Sequence, residues 1–451
     1  MTARAPRRLT ALACATGVFA LTIAGAAATG SGPTFRSRLF NGAVMGDGVA
    51  SVIVGDVNGD GRPDVLAANG YPDDSVSVEL NQGHGDFGLR DYSLSTAASS
   101  VALAELNGDG KPDLVVATEQ DDSEGPYGVS VLLNKGDGAF RRGPDTVLAA
   151  DTLGAVGDVN GDGKADIVGV DAADRAIGLF LNRGGGGFDA APERYGTGRA
   201  VSAVAVADVN GDRKADVAVA NFADSTVSLL LNRGDGSLAP RVDFPTGARP
   251  AAIAVRDLNG DSRPDLITEN DKPSGVSVLV NMGDGRFADR RDYRTSSCFS
   301  SGLLAIGDLN GDSKPDIATA CVSVLVNKGN GSFRPKLDYD YQFEPVSLAI
   351  GDLTGDHRRD VVVPVHNSRN GDNWLAVLVN TPGVCNVQPL AGLTLLEAKR
   401  TLARVNCRVG RVRSAASKRV AKGRVLSQRP GFGTVRPAGA RIDLVLSKGA
   451  R

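Results

Sequence analysis

Short apolar runs recur along most of the chain, and Gly, Asp and Asn bound each of them. Residues 201–207, 216–220 and 227–231 are three such runs, followed by a Gly-rich turn and by Leu238, which opens a fourth and more polar run. Runs of four to eight residues that are rich in Val, Ile and Leu and end at turn residues are typical of β-strands. The pattern therefore predicts units of four short antiparallel strands.

The unit repeats seven times. Acidic nine-residue segments start at residues 56, 105, 158, 208, 257, 308 and 352 and lie 44 to 53 residues apart, and a fixed period of this size indicates a propeller or a solenoid. Residues 32–40 look like a fourth strand, but they precede the first unit, and nothing similar follows the last third strand at 375–379. We therefore predict a mainly β fold, a seven-bladed β-propeller over residues 30–381 whose N-terminal strand closes the last blade.

The nine-residue segments have the composition of a calcium loop. In the segment 158–166, side-chain oxygens occupy positions 1, 3, 5 and 9, and Gly163 occupies position 6. Ca²⁺ takes six to eight oxygen ligands, and glycine lets the backbone turn back toward the ion. The alternative is an ordinary Asp-capped turn that holds no ion. We expect up to seven structural Ca²⁺ ions, with these ligands: Asp56, Asn58, Asp60, Asp64, Glu105, Asn107, Asp109, Asp113, Asp158, Asn160, Asp162, Asp166, Asp208, Asn210, Asp212, Asp216, Asp257, Asn259, Asp261, Asp265, Asp308, Asn310, Asp312, Asp316, Asp352, Asp356 and Asp360.

The seven loops are not equally good. Loop two begins with Glu105, which is one methylene longer than Asp, and loop seven has Thr354 at position 3, which makes it the poorest candidate. Position 6 carries a side chain that we expect to be strained in loops four, five and six, which have Arg213, Ser262 and Ser313 there, and loop seven has His357 in place of glycine. Residues 30–383 carry a net charge of −18, and crowded carboxylates favour a bound cation.

These loops, with hairpins such as residues 322–333, resemble FG-GAP/VCBS repeats, the blades also found in the integrin α-subunit head. The resemblance covers about residues 30–381, and its motifs recur seven times. It implies a calcium-binding propeller used mainly for extracellular recognition, and it does not identify a ligand.

The composition changes after residue 383. Residues 384–451 contain 15 Lys or Arg and only two acids, a net charge of +13, and they hold a capping-box pattern at Thr394 and Glu397 before an apolar helical face. Three strand-like runs follow, and residues 384–449 resemble a PASTA domain, which implies a small α+β module outside a bacterial cell. Several such domains recognise peptidoglycan. A solvated basic face without a partner is the alternative, and nucleic acid is disfavoured because Phe432 is the only aromatic residue available for stacking.

Residues 1–28 combine three arginines, an Ala/Leu/Val stretch and a small-residue end, which is typical of a secretory signal peptide. We therefore expect a secreted, extracellular protein, with wall association as a further expectation and no membrane span after signal cleavage. Beyond Cys14, four cysteines in an exported chain suggest two disulfides. The predicted pairs are Cys385 with Cys407 and Cys298 with Cys321.

Catalytic motifs are sparse. The chain has 3 His, and none lies beside a recognisable nucleophile motif. We expect a binding protein in which the propeller mediates adhesion or glycan recognition and the PASTA module associates with cell-wall polymer or peptidoglycan. An exported polysaccharide hydrolase or lyase and a purely structural wall protein are the alternatives. Candidate ligand residues lie opposite the metal loops, although Trp374 could instead pack against blade seven: Tyr71, Tyr127, Phe222 and Trp374.

Overall fold

The structure is a computed structural model. It describes residues 33–449 except 45–47, 84–85, 120–127, 145, 148–151, 172–174, 190–191, 297–301, 320–321, 340–344, 367–372, 382–383, 387–388, 405–406, 432–433 and 438–439. No helix among these residues is long and apolar enough to cross a membrane. The predicted signal peptide, Tyr127, Cys298 and Cys321 lie outside the described residues.

Seven antiparallel sheets follow one another along the chain, each with four main strands, and the strands of the first six are in sequential order. Blade 1 contains β2–β5, blade 2 β6–β10, blade 3 β11–β14, blade 4 β15–β18, blade 5 β19–β21 with β24, blade 6 β25–β28, and blade 7 β29–β31 with β1. The short pair β22 and β23 extends blade 5. The strands are β1 (Thr34–Val44), β2 (Val49–Gly55), β3 (Asp64–Asn69), β4 (Ser75–Gly83), β5 (Asp86–Ser93), β6 (Ala97–Ala104), β7 (Asp113–Glu119), β8 (Gly128–Asn134), β9 (Phe140–Arg142), β10 (Thr146–Val147), β11 (Thr152–Gly157), β12 (Asp166–Asp171), β13 (Ala176–Phe180), β14 (Glu193–Gly196), β15 (Val201–Ala207), β16 (Asp216–Asn221), β17 (Thr226–Leu230), β18 (Val242–Pro245), β19 (Pro250–Arg256), β20 (Asp265–Asn270), β21 (Gly275–Leu279), β22 (Asn281–Gly283), β23 (Arg286–Phe287), β24 (Arg291–Arg294), β25 (Leu304–Gly307), β26 (Asp316–Thr319), β27 (Ser323–Leu325), β28 (Leu337–Asp338), β29 (Ala349–Gly351), β30 (Asp360–His366) and β31 (Asn373–Thr381).

The last blade is completed by the first strand of the chain. β1 pairs antiparallel with β31, with Thr34 opposite Thr381, and Phe35 packs edge-to-face on Tyr339 with ring centroids 5.0 Å apart. This confirms the predicted closure by the N-terminal strand. β31 therefore does not form an unpaired edge where the ends of the propeller meet.

Apolar side chains fill the space between each pair of neighbouring blades. The cluster between blades 7 and 1 contains Val52, Val65 and Phe87 from one blade and Leu353 and Val377 from the other. Six similar clusters join the remaining neighbours. Because both faces of a blade are covered in this way, the second and third strands are buried along most of their length. This confirms the seven-bladed propeller.

The C-terminal residues form a small α+β unit with its own core. Leu390, Ala398 and Leu402 pack against Val425 and Leu444. At the start of the helix, Thr394 N donates to Glu397 Oε2 at 2.7 Å and Glu397 N donates to Thr394 Oγ1 at 3.3 Å, which is the predicted capping box. The elements are β32 (Val384–Asn386), α1 (Leu395–Arg404), β33 (Arg408–Ala415), β34 (Val425–Arg429), β35 (Val435–Pro437) and β36 (Arg441–Ser447).

One charged side chain interrupts the apolar packing between blades 7 and 1. Glu79 in β4 is fully buried, and neither of its carboxylate oxygens has a hydrogen-bond partner in the described part of the chain. The equivalent positions of the other six blades carry Leu132, Phe180, Leu230, Leu279, Leu325 and Leu378, each packed against the preceding blade. Burial raises the pKa of Glu79 to about 8, and the nearby Asp91 carboxylate adds to the rise. Glu79 therefore weakens the blade 7–blade 1 contact when it ionises.

We predict that Glu79 makes stability fall as the pH rises. Below its ordinary pKa of 4.5 it is protonated in both states, and between 4.5 and about 8 only the unfolded chain ionises, which favours unfolding. Glu79→Leu removes this cost. The difference in the free energy of unfolding between variant and parent should therefore be roughly 2–5 kcal/mol larger at pH 8 than at pH 5.

Urea unfolding of both proteins at the two pH values measures this gain. Other titrating groups cancel, because only the difference between variant and parent is used. An equal difference at pH 5 and pH 8 would show that the pKa of Glu79 is the same in the folded and the unfolded chain.

Candidate functional site

Each acidic loop is closed by its own side chains. In loop three, Asp158 Oδ1 accepts from Gly161 N at 2.7 Å and Asp158 Oδ2 accepts from Gly163 N at 2.9 Å. Asn160 Oδ1 then accepts from Asp162 N at 2.9 Å, and Asp162 Oδ1 accepts from Lys164 N, also at 2.9 Å. Positions 1, 3 and 5 thus fix the loop backbone by side-chain-to-backbone hydrogen bonds.

Two positions of the loop require a left-handed backbone. The four non-glycine residues at position 6, Arg213, Ser262, Ser313 and His357, have φ between 64° and 68°. Such values are uncommon for residues with a Cβ, so the predicted strain at this position is present. Position 4 has φ between 72° and 84° in every loop, and it is glycine in all seven: Gly59, Gly108, Gly161, Gly211, Gly260, Gly311 and Gly355. Position 4 was not among the predicted functional positions, although glycine occupies it in all seven loops.

The carboxylate at position 9 lies inside the propeller rather than at its surface. Asp166 is buried, and its Oδ2 accepts from Val159 N at 2.9 Å while its Oδ1 accepts from Asn182 N at 2.8 Å. The same two hydrogen bonds recur at Asp64, Asp113, Asp216, Asp265, Asp316 and Asp360. This side chain therefore joins the loop to the third strand of its blade.

Burial and nearby charge raise the pKa of these buried carboxyls. For Asp64 the pKa is about 6, because burial outweighs the two backbone hydrogen bonds and the carboxylates of Asp60 and Asp56 repel its charge. The pKa values of Asp265, Asp316 and Asp360 are also raised to about 6 for the same reasons. A cation in the loop would relieve the repulsion.

An asparagine at the end of each third strand links its blade to the one before. Asn182 Nδ2 donates to Ala165 O of its own loop and to Leu106 O of the preceding loop, both at 3.0 Å, and its Oδ1 accepts from Gly184 N at 2.8 Å. The link to the preceding loop recurs at 2.5 to 3.1 Å for Asn81, Asn134, Asn232, Asn281, Asn327 and Asn380. Since Asn81 reaches Leu353 O, the links form a closed ring. The sequence reasoning did not identify this asparagine.

The donor chemistry of the loops fits a hard cation. In loop two, Glu105 Oε1 accepts from three backbone N–H groups, whereas the buried Glu105 Oε2 has no hydrogen-bond partner. An orphaned carboxylate oxygen is the kind of group that a calcium ion would satisfy.

In several loops the oxygen of position 5 faces a cation at position 7, as for Lys164 and Asp162 at 3.2 Å. Within the described ranges no cluster of three or more His, Cys, Asp or Glu side chains converges on one point. The predicted calcium sites therefore remain a proposal.

The predicted ligand residues are dispersed around the opposite face. Tyr71 lies between the second and third strands of blade 1 and is 76% exposed. Phe222 occupies the same loop of blade 4, where the guanidinium carbon of Arg249 lies 4.5 Å from its ring centroid. The backbone of Trp374 pairs with Val365 in blade 7, and its side chain is outside the description. Blades 1 and 4 are not neighbours, so Tyr71 and Phe222 do not form one site.

A cavity of about 610 Å³ opens instead on the side of the acidic loops. It lies between blades 4, 5 and 6, and its lining includes Asp257, Asn259 and Lys314. The sequence gives no signal for it, because its walls come from segments far apart in the chain.

Cys407 is buried and disulfide-bonded. The side chain of Cys385 is outside the description, so the pairing of these two residues stays a prediction.

Comparison with known families finds matches in both parts of the chain. The model of the FG-GAP-like repeat matches residues 56–116, 105–169, 158–219 and 208–268, each match running from one acidic loop through the next. The PASTA domain model matches residues 386–448. Both are binding or structural modules rather than catalytic ones, which fits a protein that is not an enzyme.

Two solved structures share the propeller fold. They are crystal structures of BBS1N in complex with ARL6DN, one soaked with lead and one with mercury, each with a TM-score of 0.52. The identities are 13% and 12%, and the alignments cover 77% and 75% of this chain and 98% and 94% of the matched chains. At this identity the similarity shows the fold alone.

Removing one linking asparagine should destabilise the ring. Asn232→Ala leaves Val159 O, Ala215 O and Gly234 N without their partner, and we expect a loss of about 2–4 kcal/mol in the free energy of unfolding. Chemical denaturation measures it. The control is Asn330→Ala at an exposed turn, where Asn330 Oδ1 accepts from Ser332 N at 3.2 Å and from Ser332 Oγ at 2.6 Å. Water can replace these hydrogen bonds, so this substitution should cost about 1 kcal/mol or less. Equal effects of the two substitutions would contradict a linking role for Asn232.

Proposed function

Since the chain is an FG-GAP-repeat protein with a C-terminal PASTA domain, we propose that it is an exported binding protein. The propeller recognises a glycan or a protein at the cell surface, and the basic C-terminal unit associates with cell-wall polymer. The observation that carries this proposal is the joining of two binding modules of opposite charge, −18 over residues 30–383 and +13 over residues 384–451.

The propeller supplies a rigid support for variable loops. The acidic loops are fixed by internal hydrogen bonds, whereas the loops between second and third strands differ in length and expose groups such as Tyr71. Loops on a rigid scaffold are where binding residues concentrate. We therefore place recognition on the face opposite the acidic loops.

Calcium in the acidic loops would be structural. The ligands would be the side chains at positions 1, 3, 5 and 9 with the carbonyl of position 7, and the ion would offset three carboxylates in one loop. The unpartnered Glu105 Oε2 and the raised pKa of Asp113, caused by burial and by the Glu105 and Asp109 charges, support this assignment.

Chelation of calcium should lower the melting temperature without unfolding the protein at room temperature. Ions that bind only the folded state stabilise it, and affinities of about 10⁻⁴ to 10⁻³ M are usual for extracellular sites. Thermal melts in EDTA, in Ca²⁺ and in Mg²⁺, with elemental analysis of the dialysed protein, test this. Unchanged melting in EDTA and no bound calcium would refute the assignment.

The two modules should bind separately. The full chain should sediment with purified cell walls at low salt and less at high salt, because a charge of +13 favours anionic polymers. A chain ending at Gly383 should lose wall binding and keep any ligand that the full chain shows on a glycan array.

The control is a melting curve for the shortened chain, which must match that of the propeller in the full protein. Wall binding that is unaffected by the truncation would remove the basis for the role given to the C-terminal unit.

A further inference from the structure

The sheet formed by β33, β36 and β34 has one covered face and one open face. In β36, Ile442 and Leu444 are buried in the core, whereas the alternate residues Arg441 and Asp443 are exposed. Successive side chains of a strand point to opposite faces. The open face therefore carries Arg441, Asp443 and Val445 of β36 and the residues opposite them in the two neighbouring strands.

Strand register places four exposed arginines on this open face. Arg408 is opposite Arg441, and Arg413 is opposite Val445, while Arg429 is opposite Asp443. We call Arg408, Arg413, Arg429 and Arg441 the arginine face. All four are exposed.

The arginine face gathers four exposed guanidinium groups without an ion-pair partner in the described part of the chain. Some exposed arginines of the propeller do bind a neighbouring carboxylate, as Arg183 does with Asp189 and Arg199 with Asp224, both at 2.6 Å. Among the described residues, no arginine of the arginine face has an acidic group within 4.0 Å. The one carboxylate on this face, Asp443, accepts through Oδ1 from Arg411 N at 2.6 Å.

This arrangement has a cost that an anion would remove. Arg408 and Arg441 lie opposite each other on the neighbouring parallel strands β33 and β36, so their like charges repel. An anion between them would accept hydrogen bonds from both guanidinium groups.

We propose that the arginine face binds a linear phosphodiester polymer of the cell wall. The two non-ester oxygens of a phosphodiester share one negative charge and accept charge-assisted hydrogen bonds, so neighbouring arginines can share one phosphate. Opposed side chains on neighbouring strands are about 5 Å apart and alternate ones along a strand about 7 Å, so successive charges of one polymer can meet successive arginines. The proposal rests on the wall association proposed above and specifies its chemistry.

The test compares two variants of the full chain that lose the same charge. In the face variant, Arg408, Arg413, Arg429 and Arg441 become Gln. In the control, four exposed cations away from this face, Lys399, Arg400, Lys418 and Arg419, become Gln. Probes are synthetic poly(glycerol phosphate), polygalacturonate, an oligodeoxynucleotide of equal phosphate number, and dextran. Binding is measured by calorimetry over a range of salt concentrations.

The parent should bind poly(glycerol phosphate) more tightly than polygalacturonate and dextran, and no more weakly than the oligonucleotide. The face variant should lose at least roughly tenfold in affinity, and its slope of log K against log salt should be shallower by about 3, since each phosphate contact contributes about 0.7. The control should retain most of the affinity. Equal weakening by both variants, or tighter binding of polygalacturonate or the oligonucleotide, would overturn the proposal. Sedimentation with whole walls but no binding of poly(glycerol phosphate) would overturn it while leaving the proposed function intact.

Discussion

A buried carboxylate that accepts two backbone N–H groups is the interaction on which the propeller depends. The carboxylate of Asp166 accepts one hydrogen bond from the start of the acidic loop and one from the end of the third strand, and so do its six equivalents. Removing the carboxylate would leave two buried N–H groups, one in the loop and one in the third strand, without a hydrogen-bond partner. Each such unpaired group is destabilising. The adjoining asparagine extends the connection to the preceding blade, and through Asn81 and Leu353 it closes the ring.

This network also determines where function can reside. The acidic loops are committed to holding the blades together, so calcium placed there would reinforce the scaffold rather than perform chemistry. The loops on the opposite face do not contribute to these inter-blade hydrogen bonds, so their length and sequence can vary. Charge separates the two modules further: residues 30–383 carry a net charge of −18 and residues 384–451 a net charge of +13.

The period, the ring closure and the capping box were predictable because each depends on local pattern or on counting strands. The asparagine ring was not, because Asn182 bonds to Leu106 O, 76 residues away, and only the packed fold brings them together. Position 9 was predicted as a metal ligand from the spacing of its oxygens, and its burial and backbone partners could not be read from that spacing. The burial of Glu79 was not predictable either. A single charged residue in an apolar run does not show which blade its side chain will face.

Native-state hydrogen exchange tests the central role of the carboxylate–asparagine network most directly. The amides of Val159 and Asn182, both bonded to Asp166, should exchange only through global unfolding in EDTA as well as in calcium. Amides of the exposed loop, such as Gly161 and Lys164, should exchange faster in both conditions. If Val159 and Asn182 exchanged at loop rates once calcium was removed, the ion rather than the network would hold the blades together.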